Sequence, residues 1–136
     1  MIFSIIITTY NYEKYIIESI DSALNQDFLG EYEVIVVDDC STDNTQLILN
    51  SYDSIVRVNN EMNLGLEVSA NNGIKKAGGK YVVRLDADDY LEENFLSEMS
   101  KHIENEDTFY YGNYTSVSEN GLHLSKVNLT DFDKNE

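Results

Sequence analysis

The chain has 136 residues, of which 42% are hydrophobic, and its 25 acidic and 9 basic residues give a net charge of −16. This length and hydrophobic content predict one domain with a single core. The negative charge repels nucleic acid and anionic lipid, so we expect no nucleic-acid partner. An anionic ligand would need a metal ion or backbone N–H groups to be held. A single cysteine excludes an internal disulfide and a thiolate zinc site.

Membrane-spanning and signal segments are not evident in the sequence. No apolar run approaches the roughly 18 residues of a membrane span. Residues 1–8 lack the basic region and the long apolar run of a signal peptide. We therefore expect a cytoplasmic protein, with peripheral attachment to a membrane as an open alternative.

Buried strands and helices alternate along most of the chain. Short apolar runs rich in β-branched residues predict strands at residues 2–7, 34–37, 55–58 and 81–85. Apolar residues at helical spacing predict a helix from residue 15, a second through 47–49 and a third through 68–77. The third helix is expected to end at Gly78-Gly79. A fourth helix is predicted from an apolar stripe with a spacing of four, at Leu91, Phe95, Met99 and Ile103.

A hairpin is predicted after the last helix. Its strands are residues 107–117 and 122–127, and Asn120-Gly121 is a hairpin turn signal. The order of elements predicts an α/β fold, a Rossmann-like three-layer α-β-α sandwich with a mostly parallel sheet and a C-terminal hairpin. We expect the domain to span residues 1–127 and a polar tail to occupy residues 128–136.

Polar clusters follow three of the predicted strands. In chain order they are Thr8-Thr9-Tyr10-Asn11, Asp38-Asp39-Cys40-Ser41 and Asp86-Ala87-Asp88-Asp89. Ligands of open α/β sheets bind outside the carboxyl ends of the strands, so three clusters at one rim indicate a site. Taken alone, each of the first two clusters could be a turn or a helix cap, and the third a solvated acidic turn.

The acidic cluster suggests a divalent metal. Its three carboxylates repel one another, and a hard cation such as Mg²⁺ or Mn²⁺ compensates them while sharing its shell with phosphates. The chemistry suggested is therefore metal-mediated binding of a diphosphate. Tyr10 could stack on a base, and an Asp carboxylate could accept a hydrogen bond from a base N–H. The chain has neither the GxGxxG motif nor a P-loop, which counts against dinucleotide oxidoreductases and P-loop NTPases.

A series of ordered motifs runs from residue 2 to about residue 95. They are SIIITTYN at 4–11, SIDSALNQ at 19–26, EVIVVDDCSTDNT at 33–45, NLG at 63–65, NNGI at 71–74 and AGGKYVVRLDADDYL at 77–91. Together they resemble the N-terminal, nucleotide-sugar-binding portion of family 2 glycosyltransferases, which have the GT-A fold. The resemblance implies a nucleotide-diphospho-sugar donor, often a UDP-sugar, and Mg²⁺ or Mn²⁺ as cofactor.

By motif position, the resemblance implies that Thr8 and Tyr10 contact the nucleoside. It implies that Asp38 or Asp39 binds the base, and it leaves open which of the two does so.

The D-x-D element implied by the resemblance is Asp86-Ala87-Asp88. Asp86 is expected near the ribose or the sugar and, with Asp88, as a metal ligand, while Asp89 holds the loop or approaches the sugar. The family inverts the anomeric centre: an acceptor hydroxyl, deprotonated by a general base, displaces the nucleoside diphosphate, and the metal stabilises its charge. A saccharide or lipid-linked acceptor is expected, and self-association stays open.

The sequence departs from the family pattern at three places. Cys40 stands where the family often has Gly, and we expect a benign small residue rather than a catalytic thiol. Ala70 stands where many members carry Arg, which removes one phosphate contact. The general base is expected beyond the end of the chain, because Glu119, Asp131 and Asp133 lie in no recognisable base motif.

Two alternatives to a metal-dependent glycosyltransferase remain. The first is a non-catalytic nucleotide-sugar-binding module, or a donor-binding fragment that lacks the acceptor half. The second is a receiver-like phosphoryl-transfer domain, which is disfavoured because Lys80 precedes its strand instead of following it. The two histidines, His102 and His123, are expected at the surface and not as ligands.

Overall fold

A computed structural model describes residues 1–103 and 114–127. The chain divides into two compact units, Met1–His102 and Ile103–Glu136. The elements of the first unit are β1 (Phe3–Thr9), α1 (Ile16–Leu24), β2 (Tyr32–Asp38), α2 (Thr45–Leu49), β3 (Val56–Asn59), α3 (Leu66–Lys76), β4 (Tyr81–Asp86) and α4 (Phe95–His102). Those described in the second are β5 (Tyr114–Val117) and β6 (His123–Val127).

The first unit is built on a four-stranded sheet in the order β3-β2-β1-β4. All three neighbouring pairs are parallel. Right-handed crossovers place α1 and α2 on one face and α3 on the other. The predicted α/β fold with a mostly parallel sheet is confirmed.

Strand β1 is the centre of the core. All seven of its residues are buried, because its neighbours flank both edges and helices cover both faces. On the α3 side, Ile6 packs with Ile35 and Val37 of β2. Helix α3 approaches so closely that a Cβ at Gly73 would lie 2.6 Å from Ile6 Cγ2. Full burial of each such aliphatic side chain contributes about 1.5–3 kcal/mol.

Helix α4 differs from its prediction. It begins at Phe95, so Leu91 lies before it, and its buried residue is Leu96, with Phe95 and Met99 only half-buried. Spacing shows that residues share a face, but which face is buried depends on the neighbouring elements, and here it is the one that carries Leu96.

The second unit contains the predicted hairpin. Strands β5 and β6 are antiparallel, with an irregularity between Ser116 and Val117. Gly121 adopts a φ of 79° in the connection, a conformation that suits glycine. The segments predicted as strand at 107–113 and tail at 128–136 lie outside the described residues, as do Asp131 and Asp133. His102 and His123 are exposed, as expected. No helix in the described ranges is long and apolar enough to cross a membrane.

Gly79 is required by close packing at the start of β4. A Cβ there would lie 2.5 Å from the carbonyl carbon of Phe3 and 2.6 Å from the backbone nitrogen of Ser4. We predict that Gly79→Ala costs about 1–3 kcal/mol of unfolding free energy, because backbone atoms cannot move aside as a flexible side chain can. Thermal and urea unfolding measure this.

The matched control is Gly78→Ala. A Cβ at Gly78 meets only Glu33 Oε1, at an ordinary 3.5 Å. We expect this variant to unfold close to the wild type, and equal losses in both variants would contradict the packing argument.

Candidate functional site

The three predicted polar clusters lie side by side at one edge of the sheet. Strand β1 is hydrogen-bonded to both β2 and β4, and its last residues align with theirs. Thr8 is the register partner of Asp86, and Thr9 that of Asp38. The carboxyl ends of three strands thus form a common rim, as the sequence predicts.

A cleft of 410 Å³ opens at this rim. It is lined by Thr8, Thr9, Tyr10, Tyr12, Asp39, Asn63, Gly65, Leu66, Ser69, Asp86, Ala87 and Asp88. Of the predicted site residues, Thr8, Tyr10, Asp39, Asp86 and Asp88 therefore lie together. Asp38 and Asp89 are not among the lining residues.

Asp39 connects the cleft to the loop between β3 and α3. Its Oδ1 accepts hydrogen bonds from Asn60 Nδ2 and Leu64 N, and its Oδ2 accepts one from Gly65 N, each at 2.8 Å. Burial alone would raise the pKa of Asp39, but hydrogen bonds from Leu64, Asn60, Gly65 and Ser69 outweigh it and lower the pKa below 3.8. Asp39 is therefore an ionised acceptor that faces the cleft.

Asp38 has a different place although it is the neighbouring residue. Its side chain is fully buried. Its Oδ1 accepts hydrogen bonds from the backbone N–H of Ser41, at 3.1 Å, and from the Ser41 hydroxyl. These bonds close the turn after β2, so the structure gives Asp38 a turn-forming role and leaves the cleft to Asp39. Its Oδ2 is buried and has no hydrogen-bond partner in the described part of the chain, so the role of Asp38 in binding the base stays a prediction.

Two threonine hydroxyls in the cleft lack partners. The Oγ1 atoms of Thr8 and Thr9 are buried and have no hydrogen-bond partner within the described part of the chain. Buried polar atoms are rarely left in this state, because each costs about 1–3 kcal/mol. A polar ligand or ordered water in the cleft would satisfy them.

The loops after β1 and β2 are tied together at the cleft wall. Asn11 adopts a left-handed φ of 57°, and its Oδ1 accepts hydrogen bonds from Thr42 N at 2.7 Å and Asp43 N at 3.3 Å. Its own N–H donates to Ser41 Oγ at 2.9 Å. In return, Glu13 N donates to Asp43 Oδ2 at 3.0 Å. This exchange fixes the segment that carries Tyr10 and Tyr12.

Cys40 lies in the same turn and has a φ of 65°. Glycine adopts this region without steric cost, which explains why the family often has Gly here. The Cys40 thiol points to the carbonyl of Glu61, with an Sγ to O distance of 3.7 Å.

The acidic cluster is solvent-exposed at the other side of the cleft. Asp86 lies 3.6 Å from the Arg84 guanidinium and keeps 55% of its side chain exposed. Partial desolvation raises the pKa of Asp89, and the negative charges of Asp88 and Asp86 raise it further. The cluster therefore holds more negative charge than Arg84 compensates.

A metal site preformed by protein side chains alone is not present in the described ranges, which contain no group of three or more His, Cys, Asp or Glu residues arranged to hold an ion. Two carboxylates of the acidic cluster, Asp86 and Asp88, line the cleft. That donor set fits Mg²⁺ or Mn²⁺ only if substrate phosphates and water complete the shell, which is how Mg²⁺ is usually bound.

Several lining residues had no predicted role. Tyr12, Leu66 and Ser69 were not expected in the site, and Asn63 and Gly65 belonged to the NLG motif without a function. Asn63 and Gly65 could have been predicted as site residues from the position of the NLG motif, because it lies in the loop after the third strand, at the same rim as the polar clusters.

Comparisons with known proteins identify the family of the chain. A model of the family described as Glycosyl transferase family 2 matches residues 4–135. The Staphylococcus aureus poly(ribitol-phosphate) beta-N-acetylglucosaminyltransferase TarS is 39% identical in an alignment over 115 residues that covers 76% of this chain and 19% of TarS. The Escherichia coli UDP-Glc:alpha-D-GlcNAc-diphosphoundecaprenol beta-1,3-glucosyltransferase WfgD is 36% identical over 122 residues, 88% of this chain and 48% of WfgD. The chain thus spans at most about half of these relatives.

Solved structures show the same fold. The crystal structure of S. aureus TarS 1-349 in complex with UDP matches with a TM-score of 0.71 and 41% identity, covering 76% of this chain and 32% of that one. The mannosyltransferase PcManGT from Pyrobaculum calidifontis, in complex with GDP-Man and Mn²⁺, matches with a TM-score of 0.68 and 26% identity. That match covers 86% of this chain and 35% of the mannosyltransferase. The fold is therefore the predicted GT-A fold, and the chain belongs to glycosyltransferase family 2.

Proposed function

We propose that residues 1–127 form the donor-binding portion of an inverting glycosyltransferase that moves a sugar from a UDP-sugar to an acceptor hydroxyl. The observation that carries this proposal is the cleft at the strand ends. There an ionised Asp39 and the Thr8 and Thr9 hydroxyls, which have no partner among the described residues, lie together with Asp86 and Asp88. The UDP and UDP-GlcNAc complexes of TarS support it.

Asp39 supplies the base preference in this proposal. An ionised carboxylate only accepts hydrogen bonds, so it favours a base that presents an N–H at the edge it faces. Uracil carries a proton at N3, whereas cytosine presents a lone pair there and would be repelled. Tyr10 and Tyr12 line the same cleft and offer ring faces on which a base can stack.

The diphosphate requires charge compensation that the cleft itself does not provide. None of the described lining residues is Lys or Arg, and the nearby Arg84 already faces Asp86. Asp86 and Asp88 would hold Mg²⁺ or Mn²⁺, which would neutralise the charge of the departing nucleoside diphosphate. The Mn²⁺ bound in the mannosyltransferase complex supports this assignment.

A nucleotide-sugar-binding module without transfer activity is the second candidate. Within the described ranges, no carboxylate has an assigned role as general base, which favours this candidate. Of the acidic residues in the cleft, Asp39 is assigned to the nucleobase, and Asp86 and Asp88 are assigned to the metal. Release of UDP from UDP-sugars in the presence of saccharide and lipid-linked acceptors separates the two candidates. Transfer of the sugar to an acceptor would exclude the non-catalytic binding module.

The base preference can be tested by calorimetry with UDP and CDP in the presence of Mn²⁺. We predict that the wild type binds UDP roughly 10- to 100-fold more tightly than CDP, the factor expected for one hydrogen bond to a charged acceptor. Asp39→Asn should abolish most of this preference, because an amide can donate as well as accept. Equal affinities of the wild type for UDP and CDP would contradict the role of Asp39.

Asn60→Ala is the control for the anchoring role of Asp39. It removes the hydrogen bond from Asn60 Nδ2 to Asp39 Oδ1 but keeps the carboxylate. We expect weaker binding of both nucleotides with the preference for UDP retained. Loss of the preference in this variant would show that loop position, and not the carboxylate, selects the base.

Metal dependence can be tested by thermal shift with UDP, with and without Mn²⁺. We predict that Asp88→Asn abolishes the Mn²⁺-dependent part of the stabilisation by UDP, because one of two metal ligands is lost. Chelation with EDTA should bring the wild type to the same level. The control, Asp53→Asn, removes an exposed carboxylate outside the cleft and should change nothing. Equal losses in both variants would mean that the shift reports only overall acidity.

A further inference from the structure

Helix α1 contacts the acidic segment through polar side chains of its inner face. Ser19 and Ser22 lie three residues apart on α1, and Gln26 lies in the loop just after the helix ends at Leu24. They belong to the SIDSALNQ motif, and none of them lines the cleft. Each contacts the backbone of the chain between residues 86 and 96.

The two serines hold the first part of this segment. Ser19 is fully buried, and its hydroxyl donates to the carbonyl of Asp86 at 3.2 Å. Ser22 Oγ accepts the N–H of Leu91 at 3.0 Å while it donates to the carbonyl of Ser19 at 2.8 Å. The acidic residues therefore lie between two backbone points that α1 fixes.

Gln26 holds the second part. Its Nε2 donates to the carbonyl of Glu92 at 2.9 Å, and its Oε1 accepts the N–H of Leu96 at 3.0 Å. Leu96 lies in the first turn of α4, where backbone N–H groups have no partner within the helix. Gln26 thus caps α4 from the loop after α1, and Asp27 N adds a backbone bond to the carbonyl of Glu93 at 2.7 Å.

The segment needs such support because it has no regular structure of its own. Residues 87–94 lie between β4 and α4 and belong to neither helix nor strand. The segment has one turn bond around the acidic residues, from the Asp89 N–H to the Asp86 carbonyl at 3.0 Å, and its bonds to distant chain go to Ser22 and to Gln26 and Asp27. The position of Asp88 relative to Asp86 therefore depends on this turn and on the contacts that hold its two ends.

We propose that Ser19, Ser22 and Gln26 are positioning residues that hold Asp86 and Asp88 in the arrangement that binds the metal-diphosphate of the donor. None of the three positioning residues is assigned a contact with the metal or with the diphosphate. The effect of these residues on donor binding rests on the proposed function, but their anchoring of residues 87–94 can be measured without any ligand.

The first experiment is amide hydrogen exchange on the unliganded chain. Ser22→Ala should speed exchange at Leu91 and through residues 88–96 by about fivefold or more, the factor expected for one lost hydrogen bond. Ser22→Thr keeps the hydroxyl and should restore protection. The matched control is Ser100→Ala, since Ser100 Oγ donates to the carbonyl three residues earlier, as Ser22 does, but that carbonyl belongs to Ser97, outside residues 88–96. Unchanged exchange at Leu91 in Ser22→Ala overturns the proposal.

The second experiment measures the dissociation constant of UDP in Mn²⁺ and in EDTA. We expect Ser22→Ala to raise the constant about fivefold in Mn²⁺ and less than about twofold in EDTA, with Ser22→Thr and Ser100→Ala like the wild type. A merely structural role would lower the melting temperature and leave the ratio of the two constants unchanged, which also overturns the proposal.

The two experiments separate this inference from the proposed function. If the wild type binds no UDP, the proposed function fails, and the exchange result alone then decides whether α1 anchors the segment. Loss of protection in Ser22→Ala supports the anchoring, and retained protection overturns it.

Discussion

The parallel pairing of β1 with β2 on one side and β4 on the other is the constraint on which the site depends. Parallel neighbours end at the same edge of a sheet, so Thr8, Asp39 and Asp86 meet although long stretches of chain separate them. An antiparallel neighbour would send one cluster to the opposite edge. The central position buries both faces of β1, which is why its run Ile5-Ile6-Ile7 is continuously apolar.

Asp38 and Asp39 show how one step along the chain changes the chemistry of a carboxylate. Asp38 is the last residue of β2 and is consumed by the turn, whereas Asp39 lines the cleft and anchors the next loop. Because the folded state lowers the pKa of Asp39, its ionised form stabilises the fold above the ordinary value of 3.8. That contribution is lost as the pH falls through the lower pKa of the folded state. The hydrogen bonds that prepare Asp39 as an acceptor therefore also stabilise the loop around it.

The sequence predicts the sheet well because buried parallel strands require continuous apolar runs, and continuous runs are easy to see. It predicts the rim for the same reason, since polar residues directly after such a run can only lie at a strand end. It does not separate Asp38 from Asp39, because that choice depends on the turn that Ser41 closes. It also misses Leu96, whose burial follows from packing against another element and not from spacing within its own helix. Contacts between distant segments, such as Gln26 with Leu96, leave no periodic signal at all.

Helix α1 relates the two walls of the cleft to each other. Its first turn follows directly on the loop that carries Tyr10 and Tyr12, and the carbonyl of Tyr12 accepts the N–H of Ile16 at 3.0 Å. Its inner face holds the carbonyl of Asp86 through Ser19. The loop that carries Tyr10 and Tyr12 and the acidic residues that begin at Asp86 are thus both attached to α1, so a displacement of this helix would move both. The distance between them is then set mainly by the β1–β4 pairing, which fixes Thr8 beside Asp86. The β3–α3 loop joins the same rim through the hydrogen bonds that Leu64 and Gly65 donate to Asp39, so the residue that would read the base also holds this part of the cleft.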